Sequence, residues 1–373
     1  MPAHKGVVLI IDDENGLPTK RLLGSFVETI VRHPNDVTAS DLKKAKLVLV
    51  DYKLDHWPER ERQATPSLMP KDGVALIAVL KSNLGRLRAA PAAFALNSGM
   101  LKALSGGGVW IDREHVIARS IDLEWVFAKG GKDASFPVSV KSLADAVARL
   151  PSKWPAPSKL KDQILSLLGV PKRARWHQSA LEAIDRSSPP HEILIENSSG
   201  IAVLRWLLHT ILPFPTFLLS ERYLAARLRI EPRSFSHILK GGEGKRIRRI
   251  LNAFEYKGVL CDFAGTRWWR AGVEHWLWEG TKGKSFDKDA IEAFVTSKFS
   301  RKVEFTNLSS PVVSIDEHLR PCDTLVGLND AIEIKPDGWP SFSDSAWINL
   351  SQINEAQFVA LVPQSERNQL GDR

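Results

Sequence analysis

The chain has 373 residues, of which 43% are hydrophobic and 25% charged, with a formal net charge of +8. That length suits two or three domains, and so large an apolar share without a long polar run excludes a disordered chain. Cys261 and Cys322 are its only cysteines, which excludes a disulfide framework or a cysteine zinc site and suits a reducing cytoplasm. The apolar run Val7 to Ile11 is too short for a signal peptide or a membrane span. The basic excess gathers in the middle of the chain, which favours an anionic partner.

Residues 1–150 alternate strand and helix patterns. Gly6 to Glu14 is an apolar run that ends in Asp12, Asp13 and Glu14, as a strand buried on both faces would read. Leu17 to Arg32 suits a crossover helix. Lys46 to Asp51 repeats the strand with an acid at its tip, Asp72-Gly73 leads into a helix over Val74 to Ser82, and Ala92 to Ser98 and Glu124 to Lys129 are two further strands. The alternation predicts a doubly wound, flavodoxin-like sheet.

These residues resemble the receiver domain of two-component response regulators. The resemblance implies that Asp12, Asp13 and Asp51 hold Mg2+, that Asp51 accepts a phosphoryl group, and that Ser98 and Lys129 act as the switch residues that sense it. A histidine kinase or another protein partner is the corresponding expectation, and a homodimer is a further one. Asp72-Gly73 matches the family's aspartate-glycine before its third helix. Departures are the long loops His56 to Lys71 and Gly106 to Asp122, and Gly130-Gly131 after Lys129 where the family has proline. Four strands are legible instead of the family's five, so its second strand is expected between Arg32 and Lys46. The bland alternative is a receiver-like fold whose acids only cap strand ends and whose surface docks a partner.

Pro151 to Ser158 is rich in proline and small residues and marks a boundary. Residues 151–200 form a helical linker region. Ile201 to Leu212 is apolar nearly all round, which predicts a buried helix supporting the segment after it.

Residues 201–283 are predicted to form a winged helix-turn-helix domain. Ser220 is placed to cap a helix over Glu221 to Arg229, Pro232 starts a second that runs to Lys240, and a third covers Gly244 to Tyr256. Gly258 to Phe263 and Arg267 to Arg270 then flank Ala264-Gly265-Thr266 as the two strands of a wing. Lys and Arg outnumber Asp and Glu here, which points to double-stranded DNA as the partner. The candidate contacts are Arg233, Ser234, Ser236 and His237 toward bases, with Lys240, Lys245, Arg246, Arg248, Arg249, Arg267 and Arg270 on the same basic surface. Trp268-Trp269 is read as packing, with stacking on bases as the alternative.

Residues 284–373 read as a small α+β domain: a helix over Phe286 to Phe299, then strand-like runs at Val303, Val312, Thr324, Ala331 and Phe358 to Val362. Pro321-Cys-Asp323 and Glu333-Ile-Lys335 resemble the PD-(D/E)xK nuclease core. The resemblance implies that Asp323 and Glu333, on adjacent strands, bind a divalent metal beside a scissile phosphate while Lys335 positions water, and Glu292 and Gln352 are candidates to complete the site. The alternative is an accessory or dimerisation domain. Three functions therefore follow: a DNA-binding regulator under receiver control, a metal-dependent DNA nuclease effector of a defence system, and a non-catalytic scaffold.

Overall fold

The structure, a computed structural model, describes residues 6–14, 16–57, 69–87, 90–104, 113–129, 135–191, 199–241, 245–299, 303–353 and 356–371. The chain is mixed α/β and divides into two compact units, Met1–Gly169 with Pro190–Pro213 and Gly258–Gly265, and Val170–Pro189 with Phe214–Lys257 and Thr266–Arg373. No helix among the described residues is long and apolar enough to cross a membrane.

In the first unit β1 (Val7–Ile11), β2 (Glu28–Arg32), β3 (Leu47–Asp51), β4 (Ala93–Ser98) and β5 (Trp125–Ala128) form a parallel sheet in the order β2-β1-β3-β4-β5. Leu47 to Val50 are all 0% exposed, as a central strand covered on both faces requires, and each such side chain contributes about 1.5–3 kcal/mol. On one face α1 (Leu17–Leu23) packs with the helix Phe136–Ala148, which buries Val140, Leu143 and Val147. On the other, Leu9, Ile11, Val48, Val50 and Leu96 share one core with Leu42 of α2 (Ala39–Lys44), with Leu76, Ile77 and Leu80 of α3 (Gly73–Leu87), and with Ile117 of the helix Glu114–Ser120. The sheet is therefore doubly wound, and its order reverses between β1 and β3, where the carboxyl ends of those strands open a crevice.

The expected crossover helix over Leu17 to Arg32 is shorter than its pattern. It ends at Leu23, and Glu28–Arg32 is the missing second strand, earlier than the Arg32 to Lys46 interval assigned to it. As an edge strand it is half-buried and leaves Glu28 exposed, so it lacks the apolar run that marked its neighbours. The interval holds α2 instead, started by a capping box in which Thr38 Oγ1 accepts from Asp41 N at 3.1 Å and Asp41 Oδ2 accepts from Thr38 N at 3.0 Å.

The apolar segment Ile201 to Leu212 is helical as far as Trp206 and continues as a π-helical turn over Leu207–Ile211. It carries Arg205, whose Nε donates to Glu124 Oε1 at 2.7 Å and whose Nη2 donates to the Asp122 carbonyl at 2.9 Å. Glu124 is 1% exposed and also accepts from Phe94 N. His209 Nε2 lies 2.9 Å from the Glu124 carbonyl oxygen. Burial, with the Arg205 and Arg119 charges, pushes the His209 imidazole down to about 4, against the pull of that carbonyl. Between the ordinary value of 6.5 and about 4 the unfolded chain holds the extra proton, so stability is full above that window and is lost as pH falls through it, by about 3 kcal/mol. Thermal unfolding at pH 7, 6 and 5 should show this decline, and His209→Gln, which keeps a donor and cannot titrate, should flatten it. An unchanged pH profile in the variant would contradict the assignment.

The two strands expected of a wing do not pair with each other. Leu218–Leu219 pairs antiparallel with Trp268–Trp269 in the second unit, while Gly258 to Phe263 forms no strand. Val259, Leu260 and Phe263 are buried within the first unit: Val259 N donates to the Leu167 carbonyl at 2.9 Å, and the Phe263 ring meets Trp125 edge-on at 4.8 Å. Trp268 and Trp269 are 4% and 1% exposed, and Trp269 stacks on Phe217 at 5.7 Å, so this pair is packing and not a platform for bases.

The second unit also contains a four-stranded sheet, with strands Pro311–Ile315, Pro321–Gly327, Ala331–Ile334 and Ala346–Asn349. In space they run Ala331–Ile334, Ala346–Asn349, Pro311–Ile315, Pro321–Gly327. The strand Ala346–Asn349 is not among the runs expected from local pattern, and the run Phe358 to Val362, expected as a strand, begins within the short helix Ala356–Val359. Phe358 is fully buried, so its apolar character reflects burial and not strand pairing.

Candidate functional sites

The first candidate lies in the crevice of the parallel sheet. Asp12 and Asp13 follow β1 and Asp51 ends β3, and one carboxylate oxygen of each lies within 4.8 Å of the others. Asp12 and Asp13 are each 6% exposed. Burial, reinforced by the Asp12 charge, raises the Asp51 carboxyl, although Lys129 works against it. Lys129 Nζ is 2.8 Å from Asp51 Oδ2 and 3.6 Å from Asp12 Oδ2. Burial disfavours the Lys129 ammonium, but the hydrogen bond and charge of Asp51 and the charge of Asp12 prevail and hold its pKa above the usual value.

One ammonium does not balance three carboxylates, and the cluster has spare acceptors. Asp13 Oδ2 accepts from His56 N at 2.6 Å, whereas Asp13 Oδ1 is buried and has no hydrogen-bond partner among the described residues. An orphaned buried carboxylate oxygen beside two more carboxylates is a hard-donor set that a divalent cation satisfies. The cluster can therefore hold a metal ion. Behind it the Asp72-Gly73 pair has a steric reason: a Cβ on Gly73 would stand 2.3 Å from the Asp51 carbonyl oxygen, so only glycine lets α3 begin against the end of β3. Ser98 is 1% exposed at the end of β4, where its Oγ accepts from Met100 N at 3.0 Å, and its carbonyl takes the Lys129 amide at 2.7 Å. Of the two loops that depart from the receiver pattern, residues 58–68 and 105–112 lie outside the described residues, as do Gly130 and Gly131. Magnesium titrated into the apo protein should raise its melting temperature, by about 2.7 kcal/mol of stabilisation at a hundred times Kd. Asp13→Asn should abolish that rise, and equal stabilisation of both proteins would remove the cluster as the binding site.

The second candidate is the basic surface of the second unit. The helices Glu221–Arg227 and Pro232–Lys240 pack together across the turn Leu228 to Glu231, where Arg229 has φ 60° and is 4% exposed. Arg229 Nη1 donates to the Ser309 carbonyl at 2.8 Å, which fixes the turn. Ser220 sits at the N-cap but makes no capping bond, and its buried Oγ has no partner among the described residues. Pro232, Phe235 and Ile238 face inward, so Arg233, His237 and Lys240 line up on the exposed face at spacings of four and three residues. Ser234 and Ser236 are half-buried at its flanks. On the helix Lys245–Leu251, Ile247 and Leu251 are buried while Lys245, Arg246 and Arg249 are exposed.

No family model, curated protein or solved structure matches the chain.

Three of the expected basic contacts serve the unit itself. Arg248 donates to the Leu239 carbonyl and, at 3.4 Å, to that of Gly241, closing the end of the preceding helix. Arg270 grips Asp344 through two bonds of 2.6 and 2.8 Å and also donates to the Thr216 and Pro215 carbonyls. Arg267 is half-buried and donates to the Thr266 carbonyl at 3.2 Å, and burial followed by the Arg222 charge lowers its guanidinium to about 10.

The residues matched to a nuclease core are not brought together. Asp323 and Glu333 lie on opposite edge strands of the sheet, because Ala346–Asn349 and Pro311–Ile315 stand between them. This corrects the expectation of adjacent strands, which rested on the short Asn329-Asp330 connection and lacked the strand that inserts between. Asp323 pairs with Arg222 at 2.6 Å, Glu333 accepts from Ser345 Oγ at 2.9 Å, and Lys335 follows Glu333 with its amide donating to the Leu361 carbonyl. Glu292 meets Arg229 at 3.4 Å, and Gln352 ends a short turn on Leu350–Gln352.

Proposed function

We propose that the chain is a DNA-binding regulator in which a receiver-like domain controls a helix-turn-helix unit. The observation that carries this reading is the exposed stripe of Arg233, His237 and Lys240, extended by the cations Lys245, Arg246 and Arg249, on helices whose apolar sides are buried. Phosphate backbones recruit solvent-exposed cations, and a second helix laid across a first is the element that enters a major groove. Ser234, Ser236 and His237 are then the candidates to read base edges.

Regulation is assigned to the acidic crevice. Mg2+ held by Asp12, Asp13 and Asp51 would offset the repulsion between an incoming phosphoryl group and the carboxylates. Asp51 is the acceptor, with its carboxylate as nucleophile, and Ser98 and Lys129 sense the added charge. Lys129, already paired to Asp51, has to change partner when Asp51 is modified. A histidine kinase is the corresponding partner, and pairing of two copies is the form expected on a two-fold DNA site.

Fluorescence anisotropy with a labelled duplex, measured from low to physiological salt, tests the reading. Wild type should bind with a steep salt dependence and Arg233→Ala/Lys240→Ala should lose most of the affinity. Binding that ignores both salt and the double variant would end this assignment.

A further inference from the structure

A pocket of about 460 Å³ in the second unit lies between the first helix of the helix-turn-helix pair, the segment around Phe286, and the strand Pro311–Ile315. We infer that it is a binding site for a small organic anion with an aromatic or apolar body. Its size falls within the range of small-molecule sites. Ile291 and Val313, 4% and 3% exposed, supply an apolar floor. Phe286 stands at the rim with 89% of its surface in solvent, an aromatic side chain placed to cover a guest.

The polar groups of the wall give the class of guest. Arg227 makes ion pairs only at 3.6 Å with Glu274 and 3.7 Å with Asp344, and it forms no hydrogen bond among the described residues. Its guanidinium fork is therefore available to a carboxylate or phosphate. Asp344, on the same wall, is already engaged by Arg270 through two bonds of 2.6 and 2.8 Å, which limits its competition for Arg227. The hydroxyls of Ser309 and Ser310 also line the pocket and make no hydrogen bond among the described residues. A guanidinium and two hydroxyls above an apolar floor favour an amphipathic anion over a neutral hydrocarbon or a cation.

The test is calorimetric titration of the full chain with 1-naphthoate, 1-naphthyl phosphate and the neutral 1-naphthalenemethanol. Saturable one-to-one binding of either anion, at least ten-fold tighter than the neutral compound, is expected. Arg227→Gln should remove that ten-fold advantage, and Ala226→Trp, which projects bulk into the pocket from a half-exposed helix position, should abolish binding of all three. Thermal unfolding of both variants checks that they remain folded. Absence of saturable binding at millimolar ligand, equal affinity for charged and neutral compounds, or undiminished binding in folded variants would overturn the proposal.

Discussion

Arg205→Ala should destabilise the first unit by about 3–5 kcal/mol, the cost of leaving a buried partner charge uncompensated. The size of the effect comes from Glu124, which is 1% exposed and accepts from Arg205 at 2.7 Å. Asp122, with a side chain 73% exposed, adds little because water screens it. Burial already pushes the Glu124 carboxyl up, against Arg205 and the Phe94 amide. Removing Arg205 raises it further, and a raised folded pKa means that protonation at low pH relieves the penalty. The variant should therefore be closest to wild type in acid and fall behind it as pH rises. Urea unfolding at pH 5 and pH 8 measures both the loss and its pH dependence. A loss below about 1 kcal/mol would show that the pair behaves like a surface salt bridge. Replacing the pair together, as Arg205→Met with Glu124→Gln, should recover most of the loss, since no charge is left buried and the glutamine carbonyl still accepts from the Phe94 amide.

The second large effect concerns the basic surface. Arg233→Ala/Lys240→Ala/Arg249→Ala removes three exposed cations from two helices, and every cation that no longer neutralises a phosphate should reduce the slope of log K against log salt by about 0.9. The triple variant should thus bind duplex DNA with a slope smaller by about 3 and with affinity weakened similarly on every sequence, because phosphate binding carries no sequence information. Arg248→Ala is the contrasting control. Arg248 caps the preceding helix through the Leu239 and Gly241 carbonyls, so its removal should lower the melting temperature along with affinity. If the triple variant keeps the wild-type slope, the stripe does not touch phosphate and the regulator reading fails.

Sequence alone determined the parts of the chain where local pattern and burial agree. Apolar runs ending in Asp12-Asp13 and Asp51 marked central strands, because a strand covered on both faces has no polar residue to hide it. That these acids converge was implied by the receiver resemblance, and the strand order places them in one crevice. The helix from Pro232 to Lys240 was likewise legible, from its opening proline and the spacing of Phe235 and Ile238.

Tertiary structure decided what long-range partners compete for. The edge strand Glu28–Arg32 is half-buried and reads poorly until β1 pairs with it, and the insertion of Ala346–Asn349 beside Ala331–Ile334 is what separates Glu333 from Asp323. Cations of equal appearance in the sequence divided by geometry, with Arg248 and Arg270 bound to carbonyls and a carboxylate while Arg233 and Lys240 face water. The Glu124–Arg205 pair spans 81 residues, and the Arg227 pocket is lined by segments more than 100 residues apart. Nothing local marks either one, because a charge becomes costly or available only when folding removes it from water and selects its neighbours.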